Sequence, residues 1–186
     1  MKIVFYRTLL KGAKGLTPSE KILYSFLVAK SITRIDCAFE TRGMELCLEN
    51  ITEEMQDNNN YIALCELNHC KIAKELHQTR KTIIDGLRHL EELGYIRNDR
   101  IFANERLIAH GYFELVHAEI LKGELLIFYS YLLNMSEKYK YCIDTYKAAI
   151  GQQLGKTKVA ITKLLNRLYE VGLAERLDNG KLLLKY

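Results

Sequence analysis

The chain has 186 residues, 48% of them apolar, and its 27 Lys and Arg exceed its 23 Asp and Glu to give a net charge of +4. That length suits two domains of roughly 75 to 110 residues, each able to bury a core without covalent staples. Five cysteines (Cys37, Cys47, Cys65, Cys70 and Cys142) are odd in number and irregularly spaced, which argues against a disulfide framework and for a reducing cytoplasm. The opening MKIVFYRTLL has too short an apolar stretch before Arg7 for a signal peptide. The longest apolar run, residues 125–133, is interrupted by Ser130 and is far too short for a membrane span, so a cytoplasmic chain without membrane contact is expected.

The first segment, residues 3–12, has a counterpart at residues 114–123, displaced by 111 positions. A helix should then start at Thr17-Pro18-Ser19-Glu20, where Thr17 caps, Pro18 fits the first helical position and Glu20 completes a capping box. Ile22, Leu23, Phe26 and Leu27 recur at helical spacing behind it. Residues 36–57 hold seven acids (Asp36, Glu40, Glu45, Glu49, Glu53, Glu54 and Asp57) against the single base Arg42. Subtracting that segment leaves 26 bases and 16 acids, or +10, so a basic body carries one acidic insert. The insert closes on Asn58-Asn59-Asn60, a loop signal.

Residues 72–97 and 150–175 then align without a gap at a displacement of 78. They share Ile72/Ile150, Leu76/Leu154, Thr79/Thr157, Ile83/Ile161, Leu87/Leu165, Leu90/Leu168, Glu92/Glu170 and Gly94/Gly172. In each, a helix should begin after a capping threonine, Thr79 or Thr157, and end at a glycine, Gly94 or Gly172. The spacing predicts burial of Ile83, Leu87, Leu90 and Leu93 in one copy and of Ile161, Leu165, Leu168 and Val171 in the other. A hairpin follows each helix. The first runs through Tyr95-Ile96, Arg97-Asn98-Asp99-Arg100 and Ile101-Phe102; the second turns at Asp178-Asn179-Gly180. The second copy has its own leading helix over about residues 124–136, with Leu125, Phe128, Leu132 and Met135 as its buried stripe.

Each copy therefore reads as a leading segment, a first helix, a small strand, two further helices and a hairpin, which is the order of a winged helix. The expected fold is mainly α with small β-hairpin wings: two tandem winged helix-turn-helix domains from an internal duplication. The first spans residues 1–107, with the acidic insert near residues 36–60, and the second spans residues 108–186.

A recognition helix puts its N-terminal residues at base edges of the major groove, while flanking side chains hold phosphates. The first copy offers Gln78, Thr79, Arg80, Lys81, Thr82 and Arg88, with Asp85 as a lone acid, and Arg97 and Arg100 on its wing. The second offers Lys156, Thr157, Lys158, Thr162, Lys163, Asn166 and Arg167, with Lys181 on the hairpin and Arg176 beside it. Nothing points to catalysis. His77, His89, His110 and His117 lack a paired carboxylate or nucleophile pattern, the glycines form no phosphate loop, and Cys65, His69 and Cys70 lack the spacing and second ligand pair of a zinc site. No metal, cofactor or catalytic residue is expected.

Leu16-Thr17 with Glu20-Lys21-Ile22-Leu23-Tyr24, then Tyr61-Ile62-Ala63-Leu64, Ile72-Ala73-Lys74-Glu75-Leu76, Thr82-Ile83 and Leu93-Gly94-Tyr95-Ile96 resemble the winged-helix domain of bacterial and plasmid replication-initiator-like proteins and related helix-turn-helix regulators. The resemblance covers most of residues 1–103. It implies DNA contact through the third helix and wing, hence through Thr79, Arg80, Lys81 and Thr82. His77 departs from it, since the turn in that family carries glycine, which Gly155 retains in the second copy. The leading expectation is sequence-specific double-stranded DNA binding as a transcriptional regulator or replication-initiator-like protein. The competing one is a non-catalytic protein-interaction scaffold, with a homodimer or protein partner docking through the acidic insert.

Overall fold

The computed structural model describes residues 3–35, 55, 58–136, 142–143, 147–178 and 181–185. Except for Met55, the acidic segment at residues 36–57 lies outside the described residues, with Cys37 and Cys47, and so does the Asn179-Gly180 turn of the second hairpin. The chain is a mixed α/β protein, mainly helical, with small antiparallel sheets.

Strand β1 (Ile3–Tyr6) runs into a 3-10 turn (Arg7–Leu10), and helix α1 (Pro18–Ile35) follows. Next come β2 (Tyr61–Ala63), α2 (His69–Glu75), α3 (Arg80–Glu92) and the strands β3 (Ile96–Arg97) and β4 (Arg100–Phe102). A short helix α4 (Glu105–Ala109) leads into β5 (Tyr112–Leu115), α5 (Gly123–Ser136), β6 (Cys142–Ile143), α6 (Lys147–Leu154), α7 (Lys158–Glu170), β7 (Ala174–Arg176) and β8 (Leu182–Leu184). Among the described residues the order strand, helix, strand, helix, helix, strand, strand thus occurs twice, with the 3-10 turn in the first run and α4 between the two. The two small sheets also share one topology, β2-β4-β3 and β6-β8-β7.

Local chemistry accounts for the element ends. The Thr17 amide donates to Glu20 Oε2 at 2.7 Å and the Glu20 amide donates to Thr17 Oγ1 at 3.3 Å, so two amides that the first turn of α1 leaves without helical partners are satisfied reciprocally. The first hairpin turns on Asn98 and Asp99, both at positive φ (48° and 56°), the backbone that a two-residue turn needs to match strand twist. Asn60 ends the loop before β2 and its carbonyl accepts from the Ala103 amide at 2.7 Å.

The leading segments are more than lead-ins: β1 and β5 pair antiparallel, Ile3 opposite Leu115, Val4 opposite Glu114, Phe5 opposite Phe113 and Tyr6 opposite Tyr112. A shift of 110 residues carries Ile3 onto Phe113 and Phe5 onto Leu115, so the register maps onto itself with Val4 and Glu114 at the centre. That is a local two-fold axis. It differs by one residue from the displacement of 111 that relates Gly12 to Gly123, because the second half has one residue more between strand and glycine. Ser25 on α1 accepts from the Tyr6 amide at 3.0 Å, and Ser130 on α5 accepts from the Val116 amide at the same distance. Both serines are buried, and these bonds satisfy their hydroxyls.

Helices α1 and α5 pack against each other beneath this ribbon, and each also supports the long helix of its own half, α3 or α7. Such placement buries a helix all round. The expected stripe on α5 is accordingly too narrow: Leu125, Phe128 and Leu132 are buried, but so are Leu126, Ile127, Tyr129, Ser130, Tyr131 and Leu133, while Met135 is only half-buried. The core is one continuous cluster spanning both halves, and the division at residues 107/108 falls within α4.

Candidate nucleic-acid interface

The alignment at a displacement of 78 residues falls on α2–α3 and α6–α7, two helix pairs with matching turns. The connecting turns pass through His77 (φ 50°) and Gly155 (φ 65°). In both the chain re-enters by the same bond, Gln78 N–H to the Ala73 carbonyl at 2.9 Å and Lys156 N–H to the Gly151 carbonyl at 2.8 Å. Thr79 Oγ1 then accepts from the Thr82 amide at 3.1 Å, and Thr157 Oγ1 accepts from the Ala160 amide at 3.3 Å, so both threonines cap their helices. At the far ends the amides after Gly94 and Gly172 return to the carbonyls of Leu90 (2.8 Å) and Leu168 (3.0 Å), closing each helix with a glycine in left-handed backbone.

Those glycine closures correct two assignments. Leu93 and Val171, expected in the core, are 43% and 48% exposed, because each sits at the C-cap where the chain leaves the helical path. On α7 the buried set is Ile161, Leu164, Leu165 and Leu168; on α3 the position equivalent to Leu164 is Gly86, whose missing side chain admits Leu23 of α1 to 2.9 Å from where a Cβ would stand.

The outer faces carry the predicted residues. Thr79, Arg80, Lys81, Thr82, Asp85 and Arg88 are exposed on and before α3, and Gln78 is half-buried. Thr157, Lys158, Lys163, Asn166 and Arg167 are exposed along α7; Thr162 is half-buried, its hydroxyl donating to the Lys158 carbonyl at 2.9 Å. Several of the basic side chains have intramolecular partners. Lys156 pairs with Glu124 at the start of α5, Arg100 Nη1 donates to the Tyr61 carbonyl at 3.3 Å, and the Arg97 guanidinium lies 5.8 Å above the Tyr61 ring. Arg97 remains exposed, as do Arg176 and Lys181 around the second hairpin. Cys65 is half-buried and Cys70 exposed, and among the described residues no three His, Cys, Asp or Glu side chains converge.

The arrangement of charge along the two helices is unusual. Neither α3 nor α7 has an acid in its first turn, where Arg80, Lys81 and Lys158 stand instead, and at the C-terminal ends Glu91, Glu92 and Glu170 stand beside His89 and Arg167. The helix dipole favours the reverse, each misplaced charge costing about 0.3–1 kcal/mol on an exposed surface. This pattern does not serve helix stability. It does give each helix an N-terminus where cations, capping hydroxyls and partial positive charge meet in solvent.

Sequence reasoning passed over Val159, which is 65% exposed one position after Lys158. A valine off the Ile161-Leu165-Leu168 stripe, aligned with Lys81, was the available signal. Among the described residues no helix is long and apolar enough to cross a membrane. Comparison with protein-family models, with curated proteins and with solved structures finds no match for the chain.

Proposed function

We propose that the chain is a cytoplasmic, non-catalytic, sequence-specific double-stranded DNA-binding protein, a transcriptional regulator or replication-initiator-like factor built from two duplicated winged helix-turn-helix units. The observation that carries this reading is the pair of capped helix N-termini set against the dipole, with Arg80 and Lys81 on one and Lys158 on the other. A polyanion offsets the cost that such charges impose on an isolated helix. The repeated element order, the matching sheet topologies and the paired serine bonds support duplication.

In this reading α3 and α7 enter the major groove. Arg80 is placed to read guanine, Val159 offers methyl groups to thymine, and Lys81, Lys158, Lys163 and Arg167 hold phosphates. Lys181 and Arg176 of the second wing, and Arg97 of the first, reach the flanking backbone. The Tyr61 ring beneath Arg97 sets that guanidinium's direction.

The test is fluorescence anisotropy on duplexes selected from a random pool, repeated across salt concentrations. Binding should weaken steeply with salt, with log K falling by about 0.9 per log unit of salt for each phosphate neutralised. Replacing Arg80 and Lys81, or Lys158 and Lys163, with alanine should each weaken it at least tenfold. No duplex affinity at low salt, or indifference to both replacements, would instead favour a protein-interaction scaffold.

A further inference from the structure

A cavity of about 280 Å³ opens where the two halves meet, floored by Phe5, Leu9, Leu16, Ile127, Phe128 and Leu154. Its rim carries Lys21, Lys156 and Glu124. Glu124 pairs with Lys156, which among the described residues leaves Lys21 as the rim cation without a carboxylate: its ammonium donates to the Leu9 carbonyl at 2.9 Å, one bond for a group with three donors. We propose that this cavity binds a short amphipathic monocarboxylate, its tail on the apolar floor and its carboxylate on Lys21.

Three observations fix the ligand's chemistry. The floor is aliphatic and aromatic, so the buried part is hydrocarbon. Among the described residues, two cations and one anion at the rim leave a single positive charge to match. At about 280 Å³ the space lies at the lower edge of ligand pockets, which start near 300 Å³, so the tail is closer to eight carbons than to sixteen. Burial, and then the nearby Lys156 charge, hold the Lys21 ammonium below its ordinary value, a penalty that an anion relieves. Lys156 sits between the Gly155 turn and the Thr157 cap of α7, so a carboxylate at the rim meets the helix turn through the Lys156–Glu124 pair. Occupancy itself does not depend on the DNA-binding reading.

Calorimetric titration of the full chain with octanoate should show saturable uptake of one molecule per chain. 1-Octanol, with the same tail and no charge, should bind at least tenfold more weakly. Lys21→Met should weaken octanoate at least tenfold while Lys21→Arg keeps it within a few-fold, and octanoate should shift the Lys156 and Thr157 amide resonances. Leu10→Trp fills the half-buried lip of the same cavity and should abolish uptake at unchanged melting temperature, which keeps the test open if Lys21→Met fails to fold. Absence of saturable uptake, equal binding of octanol and octanoate, or full octanoate affinity in Lys21→Met or Leu10→Trp would overturn the proposal.

Discussion

Glu20 does two jobs with one carboxylate. Oε2 accepts the Thr17 amide at the start of α1, while Oε1 lies 2.9 Å from Nδ1 of His89 on α3, so the capping box is also a clasp between α1 and the helix α3 that it supports. Burial alone would raise the carboxyl's pKa; the bonds from the Thr17 amide, His89 and the Thr17 hydroxyl outweigh it and hold the group below the ordinary value of about 4.5. The sign follows. A depressed folded value means that ionised Glu20 contributes its full stability above about pH 4.5 and loses it as pH falls through the lower folded value. In urea unfolding, the gap in midpoint between the wild type and Glu20→Gln should therefore be fully present at about pH 5.5 and close as pH falls below about 4.5. A gap that persists unchanged to pH 3 would show that the carboxylate charge is not what holds the clasp.

The helix-turn-helix elements show how far sequence alone reaches. Thr79, Thr157, Gly94 and Gly172 each announce a helix end through bonds made within a few residues, so both long helices and their caps were legible. The strands of both hairpins were legible too, β3 with β4 and β7 with β8, while the Asn179-Gly180 turn expected in the second lies outside the described residues. Whatever depends on a distant partner was not: nothing local in Ile3-Val4-Phe5-Tyr6 says that it pairs with Tyr112-Phe113-Glu114-Leu115, and the burial of α5 beyond its expected stripe follows from its packing against α1, β5 and α7. Leu93 and Val171 failed for a subtler reason, since helical periodicity continues to count past the residue at which the helix stops. On the candidate interface the sequence supplied the exposed cations but could not know that Lys156 and Arg100 turn to Glu124 and the Tyr61 carbonyl.

One departure between the turns has an energetic consequence. His77 adopts the left-handed backbone that Gly155 takes without penalty, and its carbonyl accepts from Lys122 Nζ at 2.7 Å. A side chain in that region costs on the order of 1 kcal/mol, less what glycine gives back in unfolded-chain entropy. His77→Gly should thus raise the unfolding free energy obtained from urea titration by about 0.5 kcal/mol at unchanged m-value, and Gly155→Ala should lower it by about 1 kcal/mol. Equal and negligible effects would mean that neither turn is strained.

At the scale of the molecule the two helix pairs form one body rather than tethered units. The ribbon of β1 and β5 joins them, α1 packs on α5, and Arg7 bonds Asn134 on α5 across the divide. The turns are braced reciprocally: Lys122 of the second half bonds the His77 carbonyl, while the Lys11 side chain of the first half packs 3.4 Å from where a Cβ on Gly155 would stand. The two contacts join residues that align in sequence, Lys11 with Lys122 at a displacement of 111 and His77 with Gly155 at a displacement of 78. On the proposed reading, a rigid two-fold pair of recognition helices meets DNA as two inverted half-sites, as symmetric dimers do. The faces differ, with Arg80, Lys81 and Asp85 on one and Lys158, Val159 and Lys163 on the other, so the half-sites should differ in sequence and form an imperfect palindrome. Selected duplexes should show two unlike, inverted elements. Inserting about five base pairs, half a helical turn, between them should reduce affinity to that of one element alone, a loss on the order of a hundredfold or more. Flexibly linked units would tolerate the insertion, and selection of direct repeats would contradict the two-fold; either result would separate the two helices into independent binders and leave the β1–β5 ribbon a purely structural role.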